Sequence, residues 1–176
     1  ESLGFEYIDI DPFGSPRSFL PAAIKRLSRG GILAVTATDT SALTGTYLRT
    51  TRRKYWSCSM KNELMHELSV RILIRSVQLI GSLYDKALTP IYSYAQQHYV
   101  RVFFRCEKGR KQVDALIAQH QYVVYDAERL QLSAVPIGEI KKEMQYAGPL
   151  WVGKLWDTTL AKTIAENDLH LTLTGE

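Results

Sequence analysis

Two periodicities organise the apolar positions of this chain. Over residues 99–106 they alternate strictly, with Val100, Val102, Phe104 and Cys106 on one side and Tyr99, Arg101, Phe103 and Arg105 on the other, which predicts a strand. Over residues 62–83 the period lengthens to that of a helix. Leu64, Leu68, Ile72, Leu79 and Leu83 make an apolar stripe, opposite Glu63, Glu67, Arg71, Arg75, Gln78 and Ser82. Glu67 and Arg71 are spaced for an i,i+4 ion pair. Upstream, residues 5–10 read as a strand that breaks at Asp11-Pro12. Phe19, Leu20, Ala23, Ile24 and Leu27 then recur at helical spacing, with Ser15 or Ser18 as cap, Pro21 in the first turn and Gly30-Gly31 as the stop. Residues 32–38 are a near-continuous apolar, β-branched run, as in a strand covered on both faces of a parallel sheet. Strand, helix and strand make a βαβ unit.

The remaining segments carry weaker signals. Residues 40–59 are polar, Thr-rich and basic, and predict either a long functional loop or a short exposed helix. Residues 109–119 form a short amphipathic helix and 122–125 a strand. Turns follow at Pro136, Gly138 and Gly148-Pro149, then a brief strand over 150–152 and a helix over 160–166 capped by Asp157. A domain boundary is placed near Gly109, dividing residues 1–108 from 109–176.

Composition narrows the class. With 176 residues, 45% hydrophobic and 23% charged, the chain can bury a sizeable core. A net charge of +4 and a pI near 9.0 suit nucleic acid without requiring it. Cys58 and Cys106 have no CxxC spacing, which argues against a metal site and a disulfide framework and favours a reducing, cytoplasmic setting. The expectation is of no metal and no membrane span. The chain runs from Glu1 almost directly into a buried-type strand, so it reads as a piece of a longer protein.

The candidate chemistry lies in Asp11-Pro12-Phe13-Gly14. An amino group on a nucleobase is a poor nucleophile because its lone pair is delocalised into the ring. Modifying it requires acceptors that hold the NH2 group. The Asp11 carboxylate and the Pro12 carbonyl can both accept from such an amine, and the carboxylate can stabilise the positive charge that develops during transfer. Phe13 offers a face for the base. The tetrapeptide follows a strand of an α/β sheet, where such folds place ligands. An ordinary Asp-Pro turn remains the plainer alternative.

The surrounding text resembles one family. DIDPFGSPRSFLPAAIKRLSRGGILAVTATDT, RKYWSCSMKNELMHELSVRIL, HYVRVFFR and AGPLWVGKLWD are similar, in order and spacing, to blocks of the tRNA guanine N2-dimethyltransferases. The resemblance implies an α/β fold, the C-terminal half of a Rossmann-like class I methyltransferase sheet, followed by part of a small α+β domain. It implies transfer of methyl groups from S-adenosylmethionine to the exocyclic N2 of guanosine 26 in tRNA. Asp11 becomes the catalytic acceptor, Pro12 the second acceptor and Phe13 the base platform. Gly14, Thr36, Thr38, Asp39, His66 and Glu67 line the pocket edge. His66 can equally be an ordinary surface or packed histidine, and Asp39 a helix cap or Asx turn. No GxGxG-type turn occurs in the chain, so the main cofactor-binding loop is expected upstream, and the fragment alone is expected to be inactive. The CxxC pairs of some family members are missing, so zinc is not expected.

Arg49, Arg52, Arg53, Lys54 and Tyr55 form the candidate tRNA-binding patch, helped by Arg101, Arg105, Lys108, Arg110 and Lys111. The target base must be turned out of its stack, which calls for an open pocket large enough for a purine. Two other readings stay open: methylation of an amine on another RNA or DNA base, and a non-catalytic RNA-binding fragment. A half-sheet would also leave an unpaired edge and invite self-association.

Overall fold

The structure, a computed structural model, describes residues 4–129, 131–140 and 144–173. Its element order is β1 (Phe5–Ile10), α1 (Leu20–Arg26), β2 (Leu27–Ala37), α2 (Thr40–Leu43), α3 (Leu48–Tyr55), α4 (Met65–Ser82), β3 (Lys86–Gln96), β4 (Tyr99–Lys108), α5 (Arg110–Ile117), β5 (His120–Asp126), β6 (Gln131–Val135), β7 (Tyr146–Trp151) and α6 (Thr158–Leu173). A four-stranded sheet runs β1-β2-β4-β3, and a three-stranded sheet runs β6-β5-β7.

The predicted βαβ unit is present: β1 and β2 pair in parallel with α1 between them. β4 is antiparallel to both β2 and β3, because β3 and β4 form a hairpin across Gln97 and His98. Val100, Val102, Phe104 and Cys106 are all buried in the core, as the alternation requires. On the helix side, α4 contributes Leu68, Ile72, Leu73 and Val77, all fully buried. One apolar cluster continues into the second sheet through Val123, Ala147, Leu150 and Trp151. Backbone bonds of 2.8 Å in both directions between Cys58 and Gly148 join the segment after α3 to β7. Gly148 has φ +124°, and a Cβ there would lie 2.9 Å from the Gln121 carbonyl oxygen, so the junction requires glycine.

Several expectations need correction. β2 begins at Leu27 rather than after the glycines, and Gly30-Gly31 does not stop α1, which ends at Arg26. The glycines instead absorb an irregularity in register, where Phe5 pairs with Leu27 but Tyr7 with Ile32. A Cβ at Gly31 would meet the Glu6 and Phe5 carbonyl oxygens at 3.0 and 3.1 Å. Neither Ser15 nor Ser18 caps α1 with its side chain. Asp157 does cap α6, accepting from the Thr159 and Leu160 amides at 2.9 and 3.2 Å.

α1 is ended by a lysine instead. The Lys86 ammonium, 5% exposed, donates to the carbonyls of Ile24 and Leu27 at 2.6 Å and of Lys25 at 3.1 Å. Burial pushes this ammonium below the usual lysine range. A Lys86→Met variant keeps the stem but removes a donor from three carbonyls, of which that of Ile24 keeps the Leu27 amide. Urea denaturation should show a loss on the order of 3 kcal/mol, and an unchanged midpoint would contradict the capping role.

A second buried group makes stability depend on pH. His120, at the start of β5, bonds Gln78 Oε1 at 2.8 Å and lies edge-on to Trp151. Burial, helped by the Arg75 charge, pushes its imidazole down to about 4 from 6.5. The unfolded chain takes up the proton first, so stability is fully present above about pH 6.5 and falls as the pH drops towards 4. Discounted for partial exposure, the loss should be about 2 kcal/mol. Urea denaturation at several pH values checks this, and His120→Gln should flatten the profile over that window.

Candidate active site

β1 delivers its last residue, Ile10, into the core, and the chain then turns outward. Asp11 is exposed, and Phe13 is 103% exposed, with its ring standing clear of the protein. Gly14 secures the loop. Its amide donates to Thr38 Oγ1 at 2.6 Å, and its carbonyl accepts from the Thr38 amide at 3.0 Å. Gly14 adopts φ +83°, and no atom lies within 4 Å of where a Cβ would stand, so backbone conformation rather than space selects glycine. Thr38 thus positions the loop from the end of β2. Among the described residues, neither the Asp11 carboxylate nor the Pro12 carbonyl has a hydrogen-bond or ion-pair partner. Two acceptors and an aromatic face therefore point outward from one tight turn.

Other predicted pocket residues are engaged elsewhere. Thr36 is buried and accepts from Arg101 Nη1 at 2.5 Å, while Arg101 Nη2 donates to Asp9 at 2.6 Å. Arg101 is therefore a brace across β1, β2 and β4, a correction to its expected role on phosphate. Asp39 accepts from the Tyr55 hydroxyl at 2.5 Å and the Lys54 ammonium at 3.2 Å, and so ties α3 to the end of β2. It serves neither as a side-chain helix cap nor as a free acceptor. Tyr55 is 0% exposed, so it packs under α3 and is not an RNA contact. Burial and the neighbouring Asp39 carboxylate push its hydroxyl above the usual tyrosine range. His66 is exposed in the first turn of α4. Glu67 makes the expected bond to Arg71, at 2.8 Å. Arg71 also donates to the Trp151 and Gly153 carbonyls, so this pair belongs to the joint with the second sheet.

The basic segment is a helix. Arg49, Arg52, Arg53 and Lys54 are exposed on α3, whereas Thr51 and Tyr55 face inward. Asp9, Arg17 and Trp56 were missed as parts of the site region. Asp9 lies on β1 as an acidic residue inside an otherwise strand-like run, which was the available signal for the Arg101 brace. The larger surface cavities among the described residues are lined by other side chains, and none of them is a purine pocket beside Phe13.

The family profile described as N2,N2-dimethylguanosine tRNA methyltransferase matches residues 1–172. The chain belongs to that family. It is 39% identical over 172 residues to a tRNA (guanine(26)-N(2)/guanine(27)-N(2))-dimethyltransferase of Aquifex aeolicus, covering 93% of this chain and 44% of that protein. It is 37% identical over 167 residues to a tRNA (guanine(26)-N(2))-dimethyltransferase of Methanococcus maripaludis, covering 94% of this chain and 42% of the relative. The solved structure of Trm1 from Pyrococcus horikoshii with S-adenosyl-L-methionine superposes with a TM-score of 0.83 at 32% identity, over 92% of this chain and 43% of that one. The α/β half-sheet with its appended second sheet is thus the fold of this family. The chain spans less than half the length of the relatives it matches.

Proposed function

We propose that the full-length protein is a tRNA (guanine-N2)-dimethyltransferase and that Asp11-Pro12-Phe13-Gly14 is its reacting loop. The observation that carries this reading is the pair of unpartnered acceptors beside a fully exposed phenyl ring at the carboxyl end of β1. Asp11 and the Pro12 carbonyl accept the two N2 hydrogens of guanine, which orients the nitrogen lone pair and relieves its developing charge. Phe13 supports the base from below. Gly14 and Thr38 hold the turn. S-adenosylmethionine, when bound, supplies the methyl group from a cationic sulfur. Its adenosine and methionine parts are assigned to the rest of the full-length protein. The far wall of the base pocket is assigned to the same source.

The exposed cations of α3 are the proposed tRNA contacts, and Arg105, Lys108 and Lys111, exposed towards the opposite end of β2, are proposed as a second group of contacts. Residues 109–176 are proposed as the start of the C-terminal tRNA-binding unit, and the setting as cytoplasmic. No helix among the described residues is long and apolar enough to cross a membrane. β1 pairs only with β2 among the described strands and exposes Phe5 and Tyr7, so the isolated chain should self-associate through that edge. Sedimentation of the chain at increasing concentration should show dimers or larger species, and a monomer throughout would contradict it.

The activity is tested by incubating the full-length protein with unmodified tRNA transcript and S-adenosylmethionine and analysing nucleosides by mass spectrometry. N2-methyl- and N2,N2-dimethylguanosine are expected. Methylation of adenine or cytosine amines alone would overturn the assignment.

A further inference from the structure

Just beyond the reacting loop, three side chains meet in an arrangement that the proposed base chemistry does not use. Trp56 ends α3 with φ +49°, a left-handed conformation uncommon for a bulky residue, and its indole is 54% exposed. The Arg17 guanidinium lies 3.7 Å from the centre of that ring, and its Nη1 donates to the Lys54 carbonyl. Arg75, reaching up from α4, donates from Nη1 to the Trp56 carbonyl at 3.1 Å. Both arginines are thus fixed on the same short stretch, residues 54–56.

Their charges are not compensated. Among the described residues neither arginine has a carboxylate partner, and the Nε of each is buried without an acceptor. The Lys54 ammonium is already taken by Asp39. Burial lowers the affinity of both guanidinium groups for their protons, and the Arg17 charge disfavours that of Arg75 further. Two half-buried cations that repel each other, with donors left over, are stabilised by an anion. A groove of about 540 Å³ lined by Ser15, Arg17, Pro21, Lys54, Trp56 and Leu83 opens beside Arg17, within the range of about 300–1,000 Å³ of ordinary ligand sites, and Arg75 stands behind Trp56 outside its lining.

We propose that Arg17, Arg75 and Trp56 form a second nucleotide site, in which a tRNA phosphate sits on the Arg17 guanidinium with the Arg75 charge behind it, and its base stacks on the indole face that Arg17 leaves open. The proposal rests on the tRNA reading above. This site anchors a nucleotide outside the target pocket, and so acts on substrate binding and not on the reacting amine.

The test uses the full-length protein and unmodified tRNA transcript. Arg17→Met and Trp56→Ala should each weaken tRNA binding about 5- to 100-fold, and Trp56→Phe should stay within about threefold of wild type. Arg17→Met should also reduce the salt slope of binding by about 1. The kcat at saturating tRNA and the affinity for S-adenosylmethionine should be unchanged. Ultraviolet cross-linking of the wild-type complex should place an adduct on Trp56, which gives an answer even where Trp56→Ala folds poorly. Wild-type affinity and salt slope in both variants, or an adduct map without Trp56, would overturn the site. If Trp56→Ala bound tRNA as wild type does while Arg17→Met did not, and inorganic phosphate competed equally with tRNA for both wild type and Trp56→Ala, the site would be an anion site alone, and the stacking claim would fail. Nucleoside analysis of the same samples reports the tRNA reading separately: wild type that binds tRNA through Trp56 but forms no N2-methylguanosine sinks that reading and leaves the site standing.

Discussion

Full-length protein carrying Asp11→Ala should transfer methyl groups about 10²- to 10⁴-fold more slowly, with tRNA binding weakened by only about tenfold. The size follows from what the carboxylate does. It is the stronger of the two acceptors available to the amine and the only one with a charge to offset the cationic nitrogen of the transition state. Binding should largely survive because the proposed tRNA contacts are the cations of α3 and Arg17, none of which pairs with Asp11. Folding should survive too, since Asp11 is exposed and no ion pair holds it among the described residues. Single-turnover rates and filter binding on the same preparation separate the two effects. Asp11→Asn tests the charge alone: the amide oxygen can still accept, so its activity should fall between those of Ala and wild type.

Phe13→Ala should lower kcat/KM about 5- to 150-fold, the equivalent of about 1–3 kcal/mol of base stacking. Its effect on stability should be near zero. A side chain that is 103% exposed has no packing to lose, so a large change in activity without a change in melting temperature is the signature of a substrate contact. Phe13→Tyr keeps the ring face and should restore most of the activity. A stability loss comparable to the activity loss would mean that the ring packs against protein rather than base.

The parts of the fold that were legible in the sequence are those in which one face is buried and the other is not. β4 shows its period cleanly because Val100, Val102 and Phe104 all point into one core. α4 shows its existence but not its faces: Leu68 and Ile72 are buried as expected, yet Gln78 of the expected polar face is buried too and Leu83 of the apolar stripe is 76% exposed, because the helix is covered on most sides. β3 is hidden because Pro90 interrupts it. It tolerates that proline as an edge strand with a shift of register between Pro90 and Tyr92. β6 is short and largely exposed, held to β5 by a turn in which Asp126 accepts from the Glu128 and Arg129 amides, so no hydrophobic signal marks it.

The candidate site divides in the same way. The loop at Asp11 to Gly14 is local chemistry, and it is readable as such. Tyr55, Arg101 and Asp39 are misread because their partners are distant. Arg101 meets Asp9 across 92 positions, and Asp39 meets Tyr55 across 16. For Tyr55 a local signal did exist, since Thr51 and Tyr55 stand four apart on the side of α3 opposite the arginines. The Arg17, Arg75 and Trp56 cluster draws one residue from each of three separate segments, so only the folded chain brings it together.

A tRNA with inosine in place of the target guanosine lacks the N2 amine and leaves the rest of the base edge intact. Its binding to the wild type and to Asp11→Ala, measured in the presence of S-adenosylmethionine, reports directly on whether Asp11 holds that nitrogen. Wild type should discriminate against the inosine tRNA by about tenfold or more, and Asp11→Ala by much less, with only the Pro12 carbonyl left to hold the amine. Equal discrimination by both proteins would contradict the grip of Asp11 on the amine.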